Sequence, residues 1–313
     1  MDKIVVTGGF GFIGTNLIMR LREVYKSAEI VIVDNFSGNY PHSSDFFEKF
    51  RVFKCTLEDK DALNEIFYDT DVVYHLSANS DIAKSAKSTF LDVQQTVLNT
   101  YNLLEVLRQH KVKKLIYTSG SGVYGDIGET YPDENFGPLL PVSLYGATKL
   151  SAEALISAYS NLFDIKSVIF RFANVVGPYQ THGVSYDFVN KLNSDHTTLG
   201  VLGNGLQSKS YVHVSDVVDA MLLMLNHINE DRTQLFNISS GDYITVKDIV
   251  SIVLAEMCLS NVNVIYQEVA QGWPGDVPVV RFNDNKIRRL GWQNKFSSAQ
   301  AITESVRFQL KHG

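Results

Sequence analysis

Lys3-Ile4-Val5-Val6-Thr7-Gly8-Gly9-Phe10-Gly11-Phe12-Ile13-Gly14 is an apolar run that breaks into glycines and passes into helical spacing over residues 15–23. It reads as strand, phosphate loop, helix. A short buried strand ends at Thr7, and Gly9-x-Gly11-x-x-Gly14 turns the chain tightly, so that backbone amides can approach a pyrophosphate at the helix N-terminus. Such glycines alone also suit a methyltransferase or a flavin protein. The continuation narrows the choice. Glu29-Ile30-Val31-Ile32-Val33-Asp34 is a second buried strand, and its terminal carboxylate falls about twenty residues past the glycines, where it can accept both adenosine-ribose hydroxyls. A 2′-phosphate would be repelled there, so NAD is expected rather than NADP.

Around this stretch lie 313 residues, 45% of them hydrophobic, enough for a large core in one large or two modest domains. The net charge of -6 and pI near 5.8 argue against nucleic acid and anionic membrane as partners. Cys55 and Cys258 are the only cysteines, which supports neither a disulfide framework nor a thiolate metal site. With no basic leader and no apolar run near the roughly 18 residues of a membrane span, a cytoplasmic protein is expected.

Residues 51–54, 71–76, 114–118 and 165–172 read as further strands, with helical spacing over 60–68 and 90–109. The alternation predicts an α/β fold built on a doubly wound parallel sheet. Asn35-Phe36-Ser37-Gly38-Asn39-Tyr40-Pro41 is a turn-rich loop placed to pass over the adenosine, and the small side chains of Ser77-Ala78-Asn79-Ser80 leave room for cofactor. His75, alone at a strand end, reads as a packing residue rather than a catalytic one. Asp216 reads as a carboxylate in the first turn of a helix over 214–226.

The chemistry is carried by Pro141-Val142-Ser143-Leu144-Tyr145-Gly146-Ala147-Thr148-Lys149. Four residues apart on a helix, Tyr145 and Lys149 share a face and can reach one ribose and one substrate hydroxyl. A neighbouring ammonium and a positive nicotinamide both favour phenolate, so Tyr145 is expected to act as general base with Lys149 lowering its pKa.

These motifs resemble those of the extended short-chain dehydrogenases, the NAD-dependent nucleotide-sugar epimerases and dehydratases. The resemblance extends through Val123-Tyr124-Gly125, Arg171-Phe172-Ala173-Asn174-Val175-Val176-Gly177-Pro178 and Ser210-Tyr211-Val212-His213-Val214-Ser215-Asp216-Val217. Thr181-His182-Gly183-Val184 and Gly272-Trp273-Pro274-Gly275-Asp276-Val277-Pro278 are most similar to the UDP-glucose 4-epimerase group. It implies a Rossmann half at 1–174, with 209–237 returning to it, and a smaller C-terminal α/β substrate lobe at 175–313, the substrate being held in a cleft between them.

The resemblance implies NAD contacts at Gly8, Gly11, Phe12 and Ile13 in the loop, and at Asp34, Asn35, Ser37 and Gly38 after the second strand. Leu57, Leu76, Ser77, Ala78, Thr118, Tyr145, Lys149 and Phe172 complete that set. For the nucleotide sugar it implies Ser80, Gly120, Ser121, Tyr145, His182, Gly183, Val184, Lys209, Trp273 and Asp276, with Asn174 at the diphosphate. No metal and a homodimer are also implied.

The chain departs from the family where epimerases carry Ser or Thr four residues before the tyrosine of Val-Tyr-Gly; here that residue is Gly120, flanked by Ser119 and Ser121. In an extended segment neighbouring side chains point to opposite faces, so neither serine need aim where the missing hydroxyl would. The Asp-Glu pair of the dehydratases is Ser121-Gly122, which argues against dehydration. Thr56 stands for an adenine-binding Asp, Lys209 for an arginine at the diphosphate, and Gln271 for an arginine before Gly-Trp. The expected reaction is C4 epimerisation of a nucleotide sugar through transient oxidation. A 4-dehydrogenase, ketoreductase or dehydratase of the same fold and a catalytically silent NAD-binding sensor are the alternatives, Gly120 favouring the last and Tyr145 with Lys149 opposing it.

Overall fold

The computed structural model describes residues 1–38, 46, 48–79, 88–228, 231–273 and 275–312. Its first half alternates β1 (Lys3–Thr7), α1 (Phe12–Val24), β2 (Glu29–Asp34), β3 (Arg51–Lys54), α2 (Lys60–Ile66), β4 (Val72–His75), α3 (Thr89–Asp92) and α4 (Asn99–Gln109). There follow β5 (Lys114–Gly120), α5 (Leu144–Phe163) and β6 (Lys166–Phe172). The second half holds β7 (Asn174–Val176), α6 (Val184–Ser194), β8 (Thr198–Val201), β9 (Ser208–Lys209), β10 (Tyr211–His213), α7 (Val214–His227) and β11 (Thr233–Ile238). It ends with β12 (Ile244–Thr245), α8 (Val246–Glu256), β13 (Asn263–Tyr266), α9 (Asn285–Arg288) and α10 (Ser298–His312).

Seven strands form one sheet in the order β11-β6-β5-β4-β1-β2-β3, the doubly wound parallel Rossmann arrangement. Val5 of β1 registers in parallel with Val31 of β2 on one side and Val73 of β4 on the other. Ile4, Val5 and Val6 are fully buried, as continuous β-branched runs are when both faces of a parallel sheet are covered. After β3 the chain crosses back over β1 to enter β4, so the strand order reverses between β1 and β4, at whose carboxyl ends such sheets bind ligands.

The Asp59 carboxylate caps α2 by accepting the Ala62 N–H at 3.1 Å, and Thr245 with Asp248 forms a reciprocal capping box on α8. Among the described residues, three small sheets, β7 with β10, β8 with β13 and β9 with β12, are separate from the main one.

Several boundaries differ from the sequence expectation. The helix expected over 60–68 ends at Ile66, because Phe67 and Tyr68 turn away. Residues 90–109 are not one regular helix: α3 widens into a π-helical turn, Val93–Leu98, before α4 resumes. Strand β5 runs on to Gly120, so Ser119 and Gly120 belong to the sheet, whereas Ser121 opens a 3₁₀ turn, Ser121–Val123. The alternation of neighbouring side chains expected of an extended segment therefore holds between Ser119 and Gly120 and does not extend to Ser121.

Residues Met1–Val123, Leu144–Arg171 and Met221–Phe236 form one compact unit, and Tyr124–Ser143, Phe172–Ala220 and Asn237–Gly313 a second. Segment 124–143 groups with the second unit because its polar atoms are satisfied there. The Tyr124 hydroxyl donates to Asn237 Oδ1 at 2.7 Å, and Glu134 accepts the Asn237 N–H at 2.8 Å. The second unit has its own core, with Val189, Leu192, Leu199, Ile249, Val253 and Ile302 fully buried. Among the described residues no helix is long and apolar enough to cross a membrane.

Candidate active site

In the first unit the glycine loop joins β1 to α1 with little spare space. Gly8 adopts φ +68°, donates its N–H to the Val33 carbonyl at 2.8 Å, and lies so close to β4 that an added Cβ would stand 2.8 Å from the Ser77 nitrogen. A Cβ on Gly14 would collide with the Gly8 carbonyl oxygen and come within 2.8 Å of Gly9. Gly11 differs: its φ of -66° suits any residue, and its nearest obstacle is the Gly8 oxygen at 3.3 Å. It caps α1 without a side-chain acceptor, leaving the amides of the first turn, those of Phe12 and Ile13 among them, without a side-chain cap.

The Asp34 carboxylate is buried and braces this loop, Oδ2 accepting the Phe10 N–H at 3.1 Å and Oδ1 the Phe36 N–H at 2.9 Å. Asn35 Oδ1 accepts the Ser37 N–H at 3.0 Å, and Gly38 follows. Residues 39–41 of that loop, and Ser80, lie outside the described residues. Leu57 is buried after β3, Leu76, Ser77 and Ala78 are half-buried after β4, and Thr118 is buried in β5. Phe172, also expected at the cofactor, is buried and groups with the second unit.

Tyr145 and Lys149 occupy the first two turns of α5, four residues apart. Lys149 is buried; its Nζ donates to the Thr118 carbonyl at 2.8 Å and stands 5.0 Å from the Tyr117 ring and 5.7 Å from the Tyr145 ring. One turn on, Glu153 forms a buried bidentate pair with Arg171 of β6, the closest contact 2.7 Å. The small residues between make the approach possible: a Cβ on Gly122 would stand 3.3 Å from the Gly146 Cα and 3.9 Å from the Tyr145 ring. Gly120 is not among the glycines with positive φ, Ser119 Oγ is buried without a hydrogen-bond partner, and Ser121 is half-buried.

The electrostatics of the pair overturn one expectation. Tyr145 is pushed up to about 12, first by burial and then by the Asp92 carboxylate, rather than down by Lys149. Lys149 is itself pulled down to about 8 by burial, against the opposing pull of Glu153 and Asp92. Desolvation disfavours both charged forms at once, so an i,i+4 spacing alone does not make a phenolate. Asp92 has no signal in the sequence, where it reads as one polar position in an amphipathic helix.

His75 is a packing residue. Its ring lies between the Thr7 hydroxyl at 2.8 Å and the Thr100 hydroxyl at 3.0 Å, and burial pulls it down to about 3.

In the second unit, Lys209, Trp273 and Asp276 converge. Lys209 Nζ lies 2.6 Å from Asp276 Oδ1 and 5.3 Å from the Trp273 ring, while Asp276 Oδ2 accepts the Gly272 N–H at 3.0 Å. Asp276 is buried and Trp273 is 41% exposed. Asn174 opens β7, half-buried, its N–H donating to the Ser210 carbonyl at 3.2 Å. The His182 carbonyl accepts from the Gln180 amide at 2.6 Å, and Gly183, at φ +107°, leads into α6 at Val184. Asp216 lies in the first turn of α7 as expected, and also accepts the Phe296 N–H at 3.3 Å.

Known proteins bear on these arrangements. A putative UDP-glucose 4-epimerase of Methanocaldococcus jannaschii is 30% identical over 312 residues, covering 97% of each chain. The crystal structure of a UDP-galactose 4-epimerase superposes with a TM-score of 0.86 at 32% identity, over 99% of each chain. That of the Thermotoga maritima UDP-glucose 4-epimerase with UDP-glucose gives 0.88 at 27% identity, again over 99% of each. The profile of the NAD dependent epimerase/dehydratase family matches residues 4–239. With that match, and a glycine cradle in which no Cβ fits at Gly8 or Gly14, the chain belongs to the NAD dependent epimerase/dehydratase family.

Proposed function

We propose that the protein is a UDP-sugar 4-epimerase. The observation that carries this reading is the Tyr145–Lys149 pair on one face of α5, with Lys149 tied to the end of β5 in a unit that also holds the glycine cradle. Gly8, Gly11 and the first amides of α1 would hold the pyrophosphate of NAD, and Asp34 the adenosine ribose. The chemistry NAD supplies when bound is acceptance of the C4 hydride and its return to the opposite face of the sugar.

This chain's own residues supply the rest. Tyr145 takes the proton of the 4-hydroxyl and later restores it, and Lys149 holds the nicotinamide ribose. Ser119 or Ser121 passes the proton across the space that Gly120 leaves open. Asn174 and Lys209 hold the nucleotide diphosphate, and His182, Trp273 and Asp276 serve the rest of the substrate site, so that the sugar is fixed for reaction. UDP is the nucleotide in what the relatives act on, a homodimer is what the resemblance implies, and a cytoplasmic location is the expectation from the sequence composition.

The test is to incubate the protein with UDP-, GDP-, CDP- and dTDP-sugars and follow products by NMR. The expected outcome is a C4 epimer from a UDP sugar with no net NADH, and a loss of roughly a hundredfold or more in turnover for Tyr145→Phe. A stable keto or dehydrated product, or accumulating NADH, would replace this reading with the oxidoreductase or dehydratase one.

A further inference from the structure

Asp92 is a buried carboxylate that the reaction above leaves without a part. Its side chain has no exposed area, Oδ1 accepts from the Asn79 amide at 2.8 Å, and Oδ2 has no hydrogen-bond partner. A carboxylate so placed is costly unless a nearby positive charge compensates it. It ends α3 where the helix widens into the π turn, a distortion frequent at functional sites, and both segments pack against α5. Asp92, Thr96 and Thr100 recur at four-residue spacing, all buried, and Thr100 is tied to His75 at the end of β4.

We propose that Asp92 is the buried counter-charge of the Tyr145–Lys149 pair, a positioning residue whose carboxylate holds Lys149 as the ammonium and Tyr145 as the neutral phenol. Asp92 acts on both groups in the direction this requires: after burial it raises Tyr145, and after Glu153 it raises Lys149, which burial nonetheless leaves lowered to about 8. Among the described residues, the other groups facing the pair are Glu153, Tyr117 and His75. Glu153 of α5 is tied to Arg171 of β6, Tyr117 of β5 is a neutral phenol, and His75 of β4 is a neutral imidazole. The consequence, which rests on the function proposed above, is that the base is switched on by the positive nicotinamide and stays protonated without it.

The test is Asp92→Asn, which removes the charge but keeps an acceptor for Asn79. Carbon-13 tyrosine and lysine NMR on the full chain, with and without NAD, follows the two residues, assigned through Tyr145→Phe and Lys149→Arg. In the NAD-free protein the Lys149 midpoint should fall by about one pH unit from about 8, and the Tyr145 midpoint should fall from about 12. Loosened packing that admits water would also lower Tyr145, but it would raise Lys149. A Lys149 midpoint that rises or stays put therefore overturns the proposal.

Asp92→Thr, matching Thr96 and Thr100 on the same face, is the second uncharged variant. If neither variant folds, Asp92 is a structural residue and the proposal fails. In turnover, the acidic limb of kcat should move to lower pH in both. The NMR midpoints do not depend on the reaction, so an inactive wild type would sink the proposed function while leaving this inference to its own measurement.

Discussion

Asp34 has two duties at the residue scale, because the carboxylate proposed to receive the ribose also accepts the Phe10 and Phe36 amides. Asp34→Arg is thus expected to weaken NAD at least tenfold and NADP far less, and to lower the melting temperature by removing the acceptor of one buried and one part-buried backbone donor. Titration calorimetry decides; unchanged NAD affinity would remove the ribose assignment. Gly120 lies at the end of β5 without positive φ, so Gly120→Ser introduces no backbone strain. Turnover should hold or rise in Gly120→Ser, and should fall about ten- to a hundredfold in Ser121→Ala if that hydroxyl carries the relay. A folded, NAD-binding Gly120→Ser without activity would mean that the reaction needs the open space. The residue types at this site were legible in the sequence, but their charge states were not, since burial and Asp92 come from segments far away along the chain.

For the elements, the glycine loop separates packing from binding. Gly14→Ala drives a methyl into the Gly8 carbonyl and should cost about 1–3 kcal/mol or more of stability, with NAD binding lost alongside. Gly11→Ala meets one atom at 3.3 Å and should melt within roughly 2 °C of wild type, yet bind NAD more weakly because the methyl stands where the pyrophosphate is expected. Thermal melts paired with NAD titration distinguish the two, and wild-type NAD affinity in Gly11→Ala would move the phosphate elsewhere. Hydrophobic periodicity located α1, β1 and β2 closely. It gave helical spacing over 90–109 without marking the π turn, because such a turn differs in its hydrogen bonds, which no pattern of apolar residues records.

Among the described residues of the whole molecule, each unit buries one neutral histidine, His75 in the first and His213 in the second. His213 Nδ1 accepts the Ser215 N–H at 3.2 Å, its ring lies 4.4 Å from that of Phe296, and burial pulls it down to about 4. The unfolded chain takes up a proton at each near pH 6.5, whereas the folded protein resists until about 4 at His213 and about 3 at His75. More protons bound by the unfolded state mean that this stability is fully present above pH 6.5 and is lost as pH falls toward those values. The melting temperature should therefore decline steadily from pH 6.5 to 4. His75→Gln, uncharged throughout, should start lower and decline less steeply; an equal slope would assign the acid sensitivity to other groups.

Glycine spacing, an acidic strand end and the alternation of β-branched runs with helical spacing are local properties, and they sufficed for the doubly wound sheet, the tight glycine loop and the Tyr145–Lys149 face. Asp92 beside that pair, Asp276 on Lys209 and the neutral His75 were decided only by tertiary structure. Contacts between residues distant in sequence set burial and unlike-charge neighbours, and these determine which groups carry charge.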